Sequence, residues 1–149
     1  MTILLFLFII APITIVIHEL GHALGAWMMR ADDIEINIGS GPKLFSLQSK
    51  KWTIHFYLLY ILGAHTSSQR VPYFSNTEKI VIAILGPLVN GVIGFIIEQW
   101  GPVDASNIWQ LFALFNFWLF IMNLIPYRIS GKQSDGYTIL QTLLNKKVD

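Results

Sequence analysis

The chain has 149 residues, of which 54% are apolar, 13% aromatic and only 13% charged, and its formal net charge is +1. Soluble domains carry about 25% charged residues, so this composition excludes an ordinary soluble enzyme, a disordered tail and a nucleic-acid binder, and the small net charge gives no bulk field for an acidic partner. The absence of cysteine excludes a disulfide scaffold, a Cys-rich zinc module and a cysteine nucleophile. Length predicts one domain, residues 1–149. With a mean hydropathy of +0.56, the chain has more apolar surface than one core needs, and the surplus is expected to face a lipid bilayer.

Three segments are long enough to cross a membrane, which takes about 20 apolar residues. The first spans about 3–29; between Ile3 and Ile17 only Thr14 is polar, then His18, Glu19 and His22 follow, and Trp27 and Arg30 close it as an interfacial aromatic and a charged stop. It lacks a basic leading region and its apolar run exceeds the roughly 7–15 residues of a cleaved signal, so it reads as a span. Between spans one and two lies a loop, 31–77. There Ile34, Ile36 and Ile38 alternate with Glu35 and Asn37, the period of a strand. Gly39-Ser40-Gly41-Pro42 is a turn, Leu44 to Leu47 returns as a second strand, and Trp52 to Leu62 supplies one or two more before Gly63. A small cytoplasmic antiparallel sheet at the membrane surface is expected. The second span covers about 80–97 and the third about 108–126, and a short amphipathic helix is expected at about 135–147. The expected fold is thus a membrane α-helical core of three transmembrane helices, with the sheet between helices one and two and a short C-terminal helix.

All ten Lys and Arg residues lie at or between the facing ends of spans one and two or after span three, on one side of the membrane; the short N-terminus and the loop at about 99–107 have none. The positive-inside rule therefore places the N-terminus outside and the β-rich loop and C-terminus in the cytoplasm.

Within span one, His18-Glu19-Leu20-Gly21-His22 is an HExxH pattern. On a helix, positions four apart share a face, so both imidazoles can reach one metal ion and Glu19 can reach a water beside it. Zinc lowers the pKa of such a water towards about 7, and the carboxylate takes its proton as general base. Two histidines and a glutamate packed in a bundle would be the bland alternative. Ionisable groups at mid-span each cost about 2.5–3.5 kcal/mol on insertion scales and usually mark function; a divalent cation compensates three of them together. A catalytic zinc site takes three protein ligands and one open position. His55, His65 and Asp135 are the candidates for the third. With Trp27 at the interface, His18 lies about 14 Å inside it at 1.5 Å per residue.

Three motifs in order resemble the site-2 protease family of intramembrane zinc metalloproteases. They are His18-Glu19-Leu20-Gly21-His22 in the first span, Gly86-Pro87-Leu88-Val89-Asn90 in the second, and Asn123-Leu124-Ile125-Pro126 followed by Asp135-Gly136. The loop from Ile38 to Phe45 also resembles that family's strand-turn-strand. The likeness runs over nearly the whole chain, and the family's activity is what it implies here: hydrolysis of a peptide bond in or near the transmembrane segment of a membrane-protein substrate. It implies His18, His22 and Asp135 as ligands of Zn2+, Glu19 as general base, and Asn90 and Asn123 as residues that orient the substrate or hold the oxyanion. Asn116 reads as an interhelical hydrogen-bond former. Two departures stand out. Ser134 precedes the Asp-Gly where the family usually has leucine, and the stretch Tyr127 to Ser134 is longer and more polar than the usual proline-rich link.

A strand edge could hold an unwound substrate extended, and the segment Lys51 to Ala64 is the expected edge. Gly21 and Gly25 are expected to let another helix approach closely. The rival functions are a catalytically inactive membrane peptide binder or adaptor, and a metal transporter. The nearly unbroken apolar run Ile3 to Ile17 offers a transporter no polar path. The chain reads as a minimal catalytic core, so substrate choice is left to the core, the sheet, or a regulatory or substrate-presenting membrane partner.

Overall fold

The structure, a computed structural model, describes residues 2–101, 107–129 and 131–145. Helix α1 covers Ile3–Met28, with a π-helical turn at Phe6–Ile10 leading into Ala11–Met28. Strands β1 (Asp33–Ile38), β2 (Lys43–Ser49), β3 (Trp52–Tyr57) and β4 (Ala64–Gln69) follow. Next come α2 (Asn76–Trp100), α3 (Asn107–Leu124), the two-residue strands β5 (Arg128–Ile129) and β6 (Lys132–Gln133), and α4 (Asp135–Asn145). Parts of the expected 99–107 loop and the last residues of the expected C-terminal helix lie outside the described residues.

The helices are built the opposite way round from those of a soluble core. On α1, apart from Ile10 and Pro12, the buried residues are small or polar: Thr14, His18, Glu19, Gly21, Ala23, Gly25 and Ala26. Large aliphatics point outward, Ile13 47% and Leu20 46% exposed. Helices in lipid have no hydrophobic reason to bury leucine, and they pack through small residues and polar contacts. Both α1 and α2 are long and apolar enough to cross a membrane. The apolar helix Ile108–Leu124 is shorter, about 26 Å at 1.5 Å per residue. It ends before the expected 126 because the residue preceding a proline, here Ile125 before Pro126, is driven out of the α region. The fold is that of a helical membrane protein carrying a small sheet.

That sheet is mixed, a correction to the antiparallel one expected. Its order is β2-β3-β1-β4, with β1 parallel to β3 and antiparallel to β4. Burial explains the order. Ile34 and Ile36 of β1 are completely covered, packed with Ala23 and Ala26 of α1, so β1 takes an interior place. All of β2 is exposed and takes an edge. The β1–β2 connection turns away instead of closing a hairpin. Its backbone pairs with the segment after β3, through Ser40 to Leu59 and Leu58 to Pro42. Gly39 sits there at φ +90, where a Cβ would also stand 2.7 Å from Tyr60 Cα, so only glycine fits.

A second correction follows. The segment expected as the free edge begins with β3, which has β1 on one side and β2 on the other; the free edges are β2 and β4. The strand β4, polar after Ala64, carries no apolar alternation that would predict it. The sheet also does not sit at the end of α1 but along its flank. Thr66 Oγ1 donates to the Glu19 carbonyl at 3.1 Å, and Tyr60 Oη donates to the Phe8 carbonyl, inside the π turn, at 3.2 Å. Phe8 lies about 15 Å along the helix from His18.

Candidate metal centre

His18 and His22 stand one turn apart on the buried face of α1, and α2 fixes both. The two helices touch almost backbone to backbone: a Cβ on Gly21 would lie 2.5 Å from Leu85 O and 2.8 Å from Gly86 Cα. Gly86 makes room for the neighbouring ring, since a Cβ there would clash with the His22 imidazole. His22 Nδ1 donates to the Ile82 carbonyl at 2.8 Å, and His18 Nδ1 lies 2.8 Å from Asn90 Oδ1. The tautomers follow. A carbonyl only accepts, so His22 carries its proton on Nδ1. Asn90 turns its amide nitrogen to the carbonyl of Thr14 at 3.2 Å, so its oxygen faces His18 and that ring too is protonated on Nδ1. Both Nε2 atoms then present lone pairs.

Those lone pairs meet a carboxylate. His18 Nε2 is 3.1 Å from Asp135 Oδ2, His22 Nε2 is 3.3 Å from Asp135 Oδ1, and the two Nε2 atoms are 3.1 Å apart. With both Nε2 atoms unprotonated, neither imidazole offers a donor to the Asp135 carboxylate. Its Oδ2 is buried without a hydrogen-bond partner. Three electron-rich atoms converge with no proton between them, an arrangement that a cation would neutralise. Two imidazoles and one carboxylate, open on the fourth side, form a donor set that fits a catalytic zinc ion.

Asp135 reaches the site through Ser134, the residue that departs from the family pattern. Ser134 is buried, and its Oγ donates to Ile125 O at 2.7 Å while accepting from Tyr127 N and Tyr137 N, each at 3.1 Å. It caps α4 and pins that cap to the chain leaving α3. The long polar link closes on itself as the β5–β6 pair, so its extra length does not displace the aspartate. Gly136 lets the first turn of α4 lie against Leu124 O, where a Cβ would overlap.

A cavity of about 650 Å³ opens beside the cluster, lined by Glu19, Asn123, His65, Thr66 and Ser68 as well as the three candidate ligands. Of the sequence candidates, Glu19 and Asn123 therefore face the space where a substrate would lie. Asn90 does not line it: it is fully buried, and its amide nitrogen donates to both Thr14 O and Asn116 Oδ1. That commits both amide protons and leaves none for an oxyanion. His55 is on the polar face of the sheet, 2.7 Å from Ser46 Oγ and 3.4 Å from Glu35, away from the ligand cluster. His65 reaches the cavity from β4 but is not among the converging ligand atoms. Sequence reasoning gave no site role to Thr66 and Ser134, and read Asn116 only as a bundle hydrogen bond. The spacing of Asn116 and Asn123, two helical turns on one face, was the available signal for α3.

The model of peptidase family M50 matches residues 5–103. The chain belongs to peptidase family M50. The matched residues hold the HExxH histidines, Glu19 and Asn90, while Asn123 and Asp135 lie beyond them. Two relatives carry the name "Putative zinc metalloprotease". The one from Fusobacterium nucleatum is 30% identical over 92 residues, 56% of this chain and 27% of that protein. The one from Thermotoga maritima is 26% identical over 111 residues, 65% of this chain and 22% of that protein. The match thus spans about a quarter of either relative. The M50 assignment marks the chain as a metalloprotease relative, and the donor set gives it a place for zinc.

Proposed function

We propose that this chain is an intramembrane zinc-dependent endopeptidase that cleaves a membrane-protein substrate in or near its transmembrane segment. In this reading α1, α2 and α3 are the three spans, the N-terminus is outside, the C-terminus is cytoplasmic, and the β-rich loop enters from the cytoplasmic side to lie along α1. One observation carries the reading: two imidazole lone pairs and an anionic carboxylate converge at 3.1–3.3 Å beside a cavity that also holds Glu19.

His18, His22 and Asp135 would hold the zinc ion, which supplies Lewis acidity towards a water and a substrate carbonyl. Glu19, 8% exposed and facing the cavity, takes the proton from the attacking water and passes it to the leaving amine. Thr66 holds the main chain beneath it. Asn123 spends one amide proton on Leu119 O at 3.0 Å and keeps the other for a substrate carbonyl. Asn90 orients His18.

A helical substrate must unwind to expose its peptide bonds, and β4 is the edge that faces the cavity. Ile34 N–H donates towards β3, to Lys51 O, so Glu35 and Asn37 turn to β4 and engage Ser67 and His65. The alternate residues Thr66 and Ser68 then point their backbone groups outward, where an extended peptide can pair with them. The deciding test is purified protein in lipid with a transmembrane substrate. Cleavage should be abolished by a zinc chelator and by Glu19→Gln, while the Glu19→Gln protein retains wild-type zinc. Cleavage surviving in Glu19→Gln would remove Glu19 from the chemistry.

A further inference from the structure

We propose that Asn116, on α3, is a positioning residue for the metal: it sets the orientation of His18 through Asn90 without touching the site itself. The inference rests on the zinc reading above and adds to it a residue from a third helix.

The polarity of every hydrogen bond in the relay is dictated from its ends. Asn116 Nδ2 donates to the carbonyl of Phe112 at 2.8 Å, which turns Asn116 Oδ1 towards α2. Asn90 Nδ2 donates to that Oδ1 at 2.8 Å and to Thr14 O at 3.2 Å. Asn90 Oδ1 is thereby left for His18 Nδ1, at 2.8 Å. Reversing the Asn116 amide would set nitrogen against nitrogen at Asn90 and oxygen against oxygen at Phe112. The backbone of α3 thus determines, two side chains away, which ring nitrogen of His18 carries the proton and which offers its lone pair to the metal. Thr14, Asn90 and Asn116 are each fully buried, so no water substitutes for a lost partner. His22 has no such relay, because a main-chain carbonyl holds it directly. Outer-shell partners of metal-bound histidines typically change metal affinity 10–100-fold.

The experiment measures zinc affinity by chelator competition and records the visible spectrum of the cobalt-substituted protein, for wild type, Asn116→Leu and Asn116→Asp. Leucine keeps the volume and loses the relay: zinc affinity should fall at least tenfold and the cobalt bands should shift, and the metal-free protein should unfold a few degrees lower because the Asn90 amide proton is left buried and unpaired. Aspartate, kept protonated by its apolar surroundings, donates to Phe112 and accepts from Asn90. It should restore affinity to within about threefold of wild type and restore the spectrum, as expected of a group that replaces an outer-shell partner. Where Asn116→Leu does not fold, Asn116→Ser, too short to meet Asn90, carries the same reading. Wild-type affinity and spectrum in the leucine or serine variant would overturn the inference, as would an aspartate variant no better than leucine. A wild-type protein that binds no zinc would instead overturn the metal reading beneath it.

Discussion

The two histidines and the aspartate are held by different kinds of structure. The histidine pair is set by a seam between two long helices, in which Gly21, Gly25 and Gly86 bring backbones together and each imidazole has a fixed partner. The aspartate is set by one serine at a helix cap, reached through a short hairpin link. The seam is built from many atoms that cannot move separately. The cap concentrates its hold in one hydroxyl. Ligand placement should therefore be most vulnerable at Gly86, which lies against the His22 ring, and graded at the cap.

The largest effect is expected at Gly86. A methyl group there must displace the His22 ring, so Gly86→Ala should weaken zinc binding by roughly a hundredfold or more, the upper end for changes around a metal-bound histidine. Zinc content per chain after dialysis checks this, and full occupancy would show that the seam is softer than it looks. Ser134→Ala comes next. Losing a cap and its clamp removes about 2 kcal/mol of positioning, which corresponds to about thirtyfold in zinc affinity. Equal effects at the two positions would erase the proposed contrast. Ser68→Pro on the β4 edge removes one outward N–H and leaves the ladder to β1 intact. It should raise KM for a transmembrane substrate about fivefold, the worth of one hydrogen bond near 1 kcal/mol, with zinc content unchanged. An unaltered KM would exclude that edge as the substrate strand. Smallest at the metal is Tyr60→Phe. It frees the Phe8 carbonyl from the turn between β3 and β4, so unfolding should shift by about 3 °C with no change in zinc affinity. A change in affinity would mean that the flank of α1 communicates with the site.

The same contrast explains what could be read before any coordinates. HExxH was legible because helical spacing alone puts His18 and His22 on one face. The two long spans were legible because lipid demands a long apolar run. Asp135 stood beside His55 and His65 as a candidate and was singled out only by resemblance, since its position depends on how Ser134 closes a link that propensities do not describe. The sheet was half legible. The alternation in β1 was plain, but strand order depends on which strand the helix buries, and β4, reading Ala-His-Thr-Ser-Ser-Gln, has no apolar pattern to announce it. Asn90 looked like a catalytic amide because a polar residue in an apolar span is conspicuous. Its neighbours Thr14 and Asn116 lie 76 and 26 residues away in sequence, so its occupation by them could not be seen.

X-ray absorption at the zinc edge, on the purified protein in lipid, tests the central claim most directly. One zinc per chain, coordinated by two imidazole nitrogens and one carboxylate oxygen, with the oxygen contribution altered in Asp135→Asn and an imidazole lost in His18→Ala, is the predicted result. A protein without zinc, or a zinc environment indifferent to both substitutions, would contradict it.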